Sequence, residues 1–159
     1  MGCIMNLQPI RRREVSELLE NLKKQYDNNH ISTLIDEYSF FISPKNKVYI
    51  VTNMIREIPF ENLRINNTGL YFCELNPGGV RLSIEGSQMI GKHATKNILV
   101  VDDETAVKWL RGEDLVHAES SEGFILVKNN SDFLGCTKFR DGKLLNFTPK
   151  ARRIQSVNP

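Results

Sequence analysis

Val15, Leu18, Leu19, Leu22 and Tyr26 recur at the three- and four-residue intervals of a single helical face. This spacing predicts an amphipathic helix from about residue 9 to residue 26, with Pro9 suited to its first turn. Further on, Tyr38-Ser39-Phe40-Phe41-Ile42 and Lys47-Val48-Tyr49-Ile50-Val51 flank Ser43-Pro44-Lys45-Asn46 and read as a β-hairpin. A short helix around 53–56 and an irregular passage to Thr68 follow. The pattern then changes to short strands, expected at 69–75, 97–101, 124–128, 133–139 and 143–147. Asn76-Pro77-Gly78-Gly79 marks a turn, and Asp141-Gly142 is the strongest hairpin signal in the chain. Two helices interrupt the strands. One covers 84–90 behind Ser83 as its cap. The other is opened by Asp102, Asp103 and Glu104, whose charge suits a helix N-terminus, and it ends at Gly112. Short strands at regular spacing suggest a small barrel that closes its own edges.

A length of 159 residues fits one average domain or two small ones. With 40% hydrophobic and 25% charged residues, the composition excludes a disordered or fibrous chain. No apolar run approaches the roughly 20 residues of a membrane helix, so no membrane partner is expected. Met1-Gly2-Cys3-Ile4-Met5-Asn6 lacks the apolar core of a secretory signal, and Asn6 stands where myristoylation requires Ser or Thr. A cytoplasmic location is the expectation. Cys3, Cys73 and Cys136 form no Cys-x-x-Cys pair and have no histidine at zinc spacing. Neither a metal nor a cofactor is expected, and reduced, mostly buried thiols fit better.

Charge adds what the apolar pattern leaves out. The net charge is only +2, yet Lys138, Arg140, Lys143, Lys150, Arg152 and Arg153 are opposed within their sixteen residues by Asp141 alone. Such a concentration attracts polyanions even on a nearly neutral protein, although a charge run can equally be a solvated face. Arg11, Arg12 and Arg13 fall in the first turns of the first helix, where cations oppose the helix dipole. Contact with RNA and a tolerated solvent-exposed cluster both account for them.

The second half carries an ordered series: Gly69-Leu70-Tyr71-Phe72-Cys73-Glu74-Leu75, Arg81-Leu82-Ser83, Trp109-Leu110-Arg111-Gly112-Glu113, Gly135-Cys136-Thr137-Lys138, and Asn146-Phe147-Thr148-Pro149-Lys150 with Arg152-Arg153. The series resembles a PUA domain, a small RNA-binding pseudo-barrel, in the variant found in RsmF-type rRNA cytosine methyltransferases. The resemblance covers roughly residues 68–153. The first half is similar to the pre-PUA region of ribosome-biogenesis factors of the Nip-seven type, through its helix, its hairpin and Val48-Tyr49-Ile50-Val51. The resemblance implies an α+β protein with a pre-PUA-like α/β domain at 1–68 and a PUA domain at 69–159. It also implies a free-standing, archaeal-like RNA-binding protein serving rRNA processing, ribosome biogenesis or RNA modification, with rRNA or tRNA as its partner.

Duplex RNA is read through backbone shape and phosphate charge. Lys138 and Arg140 point to one side of their strand, and Lys143 starts the return strand beside Arg140. Lys150, Arg152 and Arg153 continue as the chain leaves the barrel. The resemblance adds Arg81, Ser83, Lys92, His93 and Lys96 on the companion surface, although an isolated imidazole such as His93 is commonly just a surface residue. Gly86 and Gly91 either admit a sugar-phosphate backbone at close range or simply end a short helix. Tyr71, Phe72, Phe124, Phe133 and Phe139 read as core, Trp109 as packing between helix and barrel, and Phe147 as a candidate stacking platform beside the basic exit.

Catalysis would need a nucleophile and a base. Cys73 and Cys136 lie in apolar strands, where thiols are usually inert, and no phosphate loop, serine elbow or His-Glu-x-x-His occurs. The resemblance transfers RNA binding and not methylation, so no enzymatic activity is expected. The alternative is a protein-binding adaptor that recruits or positions an RNA-modifying enzyme. Its acidic stretch, Asp102–Glu104 with Glu113, Asp114, Glu119 and Glu122, could face a ribosomal protein or that enzyme.

Overall fold

A computed structural model describes residues 6–53, 69–117 and 119–155. The expected helix at 53–56 lies, apart from Asn53, outside the described residues, as does Cys3. Strand β1 (Gln8–Pro9) precedes helix α1 (Arg12–Tyr26), a 3-10 turn (Ile31–Thr33) and helix α2 (Leu34–Glu37). Strands β2 (Tyr38–Ile42), β3 (Lys47–Thr52), β4 (Leu70–Asn76) and β5 (Gly79–Leu82) complete a first sheet in the order β1-β2-β3-β4-β5. Helix α3 (Ile84–Gly91) leads to strand β6 (Ile98–Val100), helix α4 (Asp103–Leu110) and strands β7 (Leu115–Val116), β8 (Phe124–Asn129), β9 (Asp132–Arg140) and β10 (Lys143–Leu144). The second sheet runs β6-β8-β9-β10-β7, with β6 parallel to β8 and the other pairs antiparallel. The architecture is α+β, as expected, with a curled half-barrel sheet consistent with a pseudo-barrel.

Three differences from the sequence expectations have physical causes. Helix α1 starts at Arg12 and not at Pro9, because Gln8 and Pro9 pair with Ile42 and Phe41 at the edge of the first sheet. An edge strand is where a residue without an N–H is tolerated. Glu14 then accepts from the Arg11 backbone N–H, which sets the helix start. Second, β4 is hydrogen-bonded to β3 and β5 to β4, so Leu70–Leu82 extends the first sheet across the joint expected at 68/69. Third, β10 ends at Leu144, after which the chain peels away, although a strand to 147 was expected.

The remaining elements follow their residues closely. Asp141 and Gly142 adopt φ of 50° and 79°, the pair of positive values that a two-residue hairpin needs. Ser83 accepts from the Gly86 N–H and Asp102 from the Thr105 N–H, capping α3 and α4. The latter hydrogen bond favours the ionised carboxylate and holds the Asp102 pKa below its ordinary value. All five predicted positions of α1 are buried, and they join Phe40, Phe72 and Val48 of the first sheet with Phe124, Leu126 and Cys136 of the second in one core. A smaller core under α4 gathers Trp109, Leu115, Val127 and Leu144. Strand β8 is therefore buried on both faces, which explains its uninterrupted Phe-Ile-Leu-Val run.

Candidate nucleic-acid interface

Glu74 and Arg81 are register partners on either side of the turn between β4 and β5, and they form an ion pair at 2.6 Å. The pair holds the Arg81 guanidinium over the Phe147 ring, 4.4 Å from its centroid. Phe147 stands beside Phe124 at 6.4 Å, and the Lys138 ammonium lies over Phe124 at 5.4 Å. Lys138 and Phe124 are themselves register partners on β9 and β8. A cation, two rings and a second cation thus follow one another between the two sheets. They flank a groove of about 520 Å³ roofed by the turn residues Asn76, Pro77 and Gly78 and continued by Phe139 and Arg140. Among the described residues, those lining the groove include three cations and no carboxylate.

Arg140 reaches Asp141 at 3.6 Å, but both side chains are exposed and the contact is weak. Lys143 sits opposite Arg140 on β10, as the hairpin signal required, and it is exposed. Lys150 is exposed on the 3-10 turn Lys150–Arg152. The last two cations are differently placed. Arg152 is ion-paired with Glu85 at the start of α3. Arg153 donates from Nε to the Thr148 carbonyl and packs on Gly112, which removes it from a phosphate-facing surface. Ser83 is also withdrawn: it is buried, and besides capping α3 it donates its hydroxyl to the Tyr71 carbonyl.

Lys92, His93 and Lys96 are exposed at the far end of α3, roughly 12 Å along an eight-residue helix from Glu85. They form a second basic group beside the C-terminal end of α1. There His93 stacks on His30 at 4.3 Å, a contact that sequence alone does not reveal. The backbone N–H of Lys96 donates to the Tyr26 carbonyl. Gly86 and Gly91 are buried and face the protein. A Cβ on Gly86 would stand 2.2 Å from the Phe72 carbonyl oxygen, and one on Gly91 would meet the Phe133 ring at 2.4 Å. Both glycines let α3 approach its neighbours and neither opens a path to a sugar-phosphate backbone. Of the leading arginines, Arg12 pairs with Asp36 and Arg13 with Glu17, all on exposed side chains.

Asn146 acts as a clamp. Its side-chain amide donates to the Trp109 and Glu113 carbonyls, and its own oxygen accepts from the Thr148 N–H. The chain exit is thereby fixed to the C-terminal end of α4, which presents Phe147 to the groove. Two residues that the sequence reading did not single out stand next to this set without lining the groove. Glu74 positions Arg81, and Lys47, its register partner on β3, lies over the Tyr71 ring at 5.4 Å. Glu74 and Arg81 are equally spaced about Pro77-Gly78, which was the available signal.

Burial pushes the Cys136 thiol up to about 12, with the Leu82 backbone and Tyr26 partly offsetting it, and drives the Cys73 thiol above its ordinary range. Both stay protonated and are poor nucleophiles. In a Cys3→Ser variant, iodoacetamide at mildly alkaline pH is expected to spare both thiols while the fold holds and to label both after denaturation. Rapid labelling of the native protein would contradict their burial. Among the described residues there is no group of three or more His, Cys, Asp or Glu side chains able to hold a metal ion. No helix among them is long and apolar enough to cross a membrane.

Residues 96–154 match the family described as the methyltransferase RsmF PUA domain. That stretch, a little over a third of the chain, is similar to a PUA domain. Two curated relatives, both named ribosomal RNA small subunit methyltransferase F and both from Vibrio vulnificus (strains YJ016 and CMCP6), are 23% identical over 105 residues, or 66% of this chain. The matched region spans only 22% of the length of those relatives. Among solved structures, a hypothetical protein from the hyperthermophilic archaeon Pyrococcus horikoshii OT3 superposes with a TM-score of 0.57 over 92% of this chain and 86% of its own, at 12% identity. That likeness concerns the fold.

Proposed function

We propose that the protein binds structured RNA, rRNA or tRNA, by seating the phosphate backbone on the groove between the β4–β5 turn and the β9–β10 hairpin, and that it catalyses no reaction itself. The observation that carries this reading is a groove with three cations, three phenylalanines and no lining carboxylate, in a chain whose residues 96–154 match a PUA domain. Arg81, Lys138, Arg140, Lys143 and Lys150 are the contact set, with Phe147 and Arg152 beside them. Lys92, His93 and Lys96 supply a secondary patch. The PUA unit spans residues 69–159, of which 96–154 carry the family match, and residues 1–68 form its companion unit. The name of the Vibrio relatives favours small-subunit rRNA and a role in rRNA modification or ribosome maturation in the cytoplasm. Methyl transfer is not carried over, since the matched region is a fifth of those proteins and the buried thiols described above are unreactive.

An adaptor role is compatible with this reading. Val100 is 67% exposed next to the exposed Asp102, Asp103 and Glu104, a face that suits a basic protein partner such as a ribosomal protein or an RNA-modifying enzyme. The test is the salt dependence of binding to an rRNA hairpin. Five phosphate contacts predict a slope of log affinity against log salt of about −3.5 to −4.5. A flat slope, or no binding at low salt, would refute the groove. Capture of the same protein partners after ribonuclease treatment would favour the adaptor.

A further inference from the structure

Strand β6 (Ile98–Val100) forms one edge of the second sheet. The Leu126 N–H donates to the Asn97 carbonyl, and the Val101 N–H to the Lys128 carbonyl. Alternate residues of a parallel strand face its neighbour, so Asn97, Leu99 and Val101 are the ones turned to β8. The N–H and C=O groups of Ile98 and Val100 therefore point away from the sheet, and none of the four has a partner among the described residues. Val100 also leaves its side chain 67% exposed. A row of open groups like this is a template for a further strand.

The charges at the two ends of β6 select the occupant. Lys96 stands just before the strand and is exposed. Asp102, Asp103 and Glu104 stand just after it, also exposed; Asp102 caps α4 and Glu104 reaches Lys108, so the end stays negative. A strand that starts positive and ends negative complements its own reverse. A second copy turned about a two-fold axis through Leu99 meets that condition. Ile98 of each copy then faces Val100 of the other, and each such pair exchanges two hydrogen bonds, which satisfies every open group. Val100 also comes beside Ile98 of the second copy on one face, which covers its exposed side chain. An extended basic peptide would match the acidic end alone and set like charges at Lys96.

We infer that two copies of this chain associate through β6, antiparallel and about a two-fold axis, which joins their second sheets into one. A three-residue edge buries little surface, so the association belongs to the weak, transient class. Strand β8 stands between β6 and β9, so the groove cations on β9 and its hairpin lie clear of the interface and the dimer carries two grooves. The interface takes Lys96 from the secondary patch and leaves it Lys92 and His93.

The test follows the full chain, without RNA, by sedimentation velocity from low micromolar to millimolar concentration. The wild type is expected to pass from monomer to dimer. Val100→Pro removes an N–H that the fold does not use, at an edge position where proline is tolerated, and is expected to stay monomeric with unchanged circular dichroism. Lys96→Glu brings like charges together at both ends of the pairing and is expected to weaken the dimer about tenfold or more at low salt. Added salt should narrow that difference. Should Val100→Pro fail to fold, Lys96→Glu decides the matter. A wild type that is monomeric throughout would overturn the pairing, even where its edge then binds an extended basic peptide. Folded variants that dimerise as the wild type does would overturn it as well. No RNA is present, so either result leaves the groove reading as it stands.

Discussion

Reversing Lys138, Arg140 and Lys143 to glutamate together is expected to weaken RNA binding about 100-fold or more at low salt. Each lost phosphate contact removes a counterion-release term, so the salt slope should shrink by about 2 to 3. The three positions lie within the β9–β10 hairpin, with Lys143 directly opposite Arg140, so one surface is altered. Arg140 and Lys143 are exposed, where substitutions typically change stability by no more than about 0.5 kcal/mol. Lys138 also covers Phe124, so unfolding should be measured beside binding. Arg153→Gln makes the contrast: that side chain is held on the Thr148 carbonyl, and its loss is expected to leave the salt slope unchanged. A triple variant that is folded and binds with wild-type affinity and slope would remove the hairpin from the interface.

Gly86→Ala is expected to be strongly destabilising. The new Cβ would stand 2.2 Å from the Phe72 carbonyl oxygen, 3.2 Å from its carbon and 3.3 Å from Leu82 Cδ2. The oxygen belongs to the backbone of a central strand and cannot swing aside, so α3 must lift from β4. Overpacking of this kind costs about 3 kcal/mol, or a fall of about 6–12 °C in the thermal midpoint for a chain of this size. Gly78→Ala supplies the control, because its Cβ would meet only the mobile Lys138 ammonium, at 2.8 Å. An unchanged midpoint for Gly86→Ala, followed by circular dichroism, would show that α3 does not sit against β4 as described. Weaker RNA binding with no loss of stability would instead return Gly86 to the RNA-facing role.

Local signals in the sequence were strong where one element decides its own form. The apolar face of α1, the Asp141-Gly142 hairpin, and the caps at Ser83 and Asp102 all depend on residues within a few positions of one another. Two-residue strands such as Leu115–Val116 leave no periodicity to detect, and β5, four residues long, starts on the last residue of the turn at Asn76–Gly79 and was not expected. Which sheet a strand joins is harder still. Gly69–Leu75 fits a half-barrel strand as well as a partner for β3, and only long-range pairing decides between them. The same limit applies to the cations. Six basic residues are visible in the C-terminal run, but Glu85, 67 positions before Arg152, engages it, and a backbone carbonyl engages Arg153. Phe147 was visible as a ring beside a basic exit. That Arg81 would already cover it could not be foreseen.

The buried cluster that joins α1 to both sheets has a mechanical consequence. Phe124 and Cys136 of the second sheet lie in the same interior as Leu22, Tyr26 and Phe72. Hinge-like opening between the halves would therefore wet this interior, so the gap between the turn and the hairpin keeps a fixed width. Under the RNA-binding proposal above, the backbone must match that width on arrival, so shape as well as positive charge selects what binds.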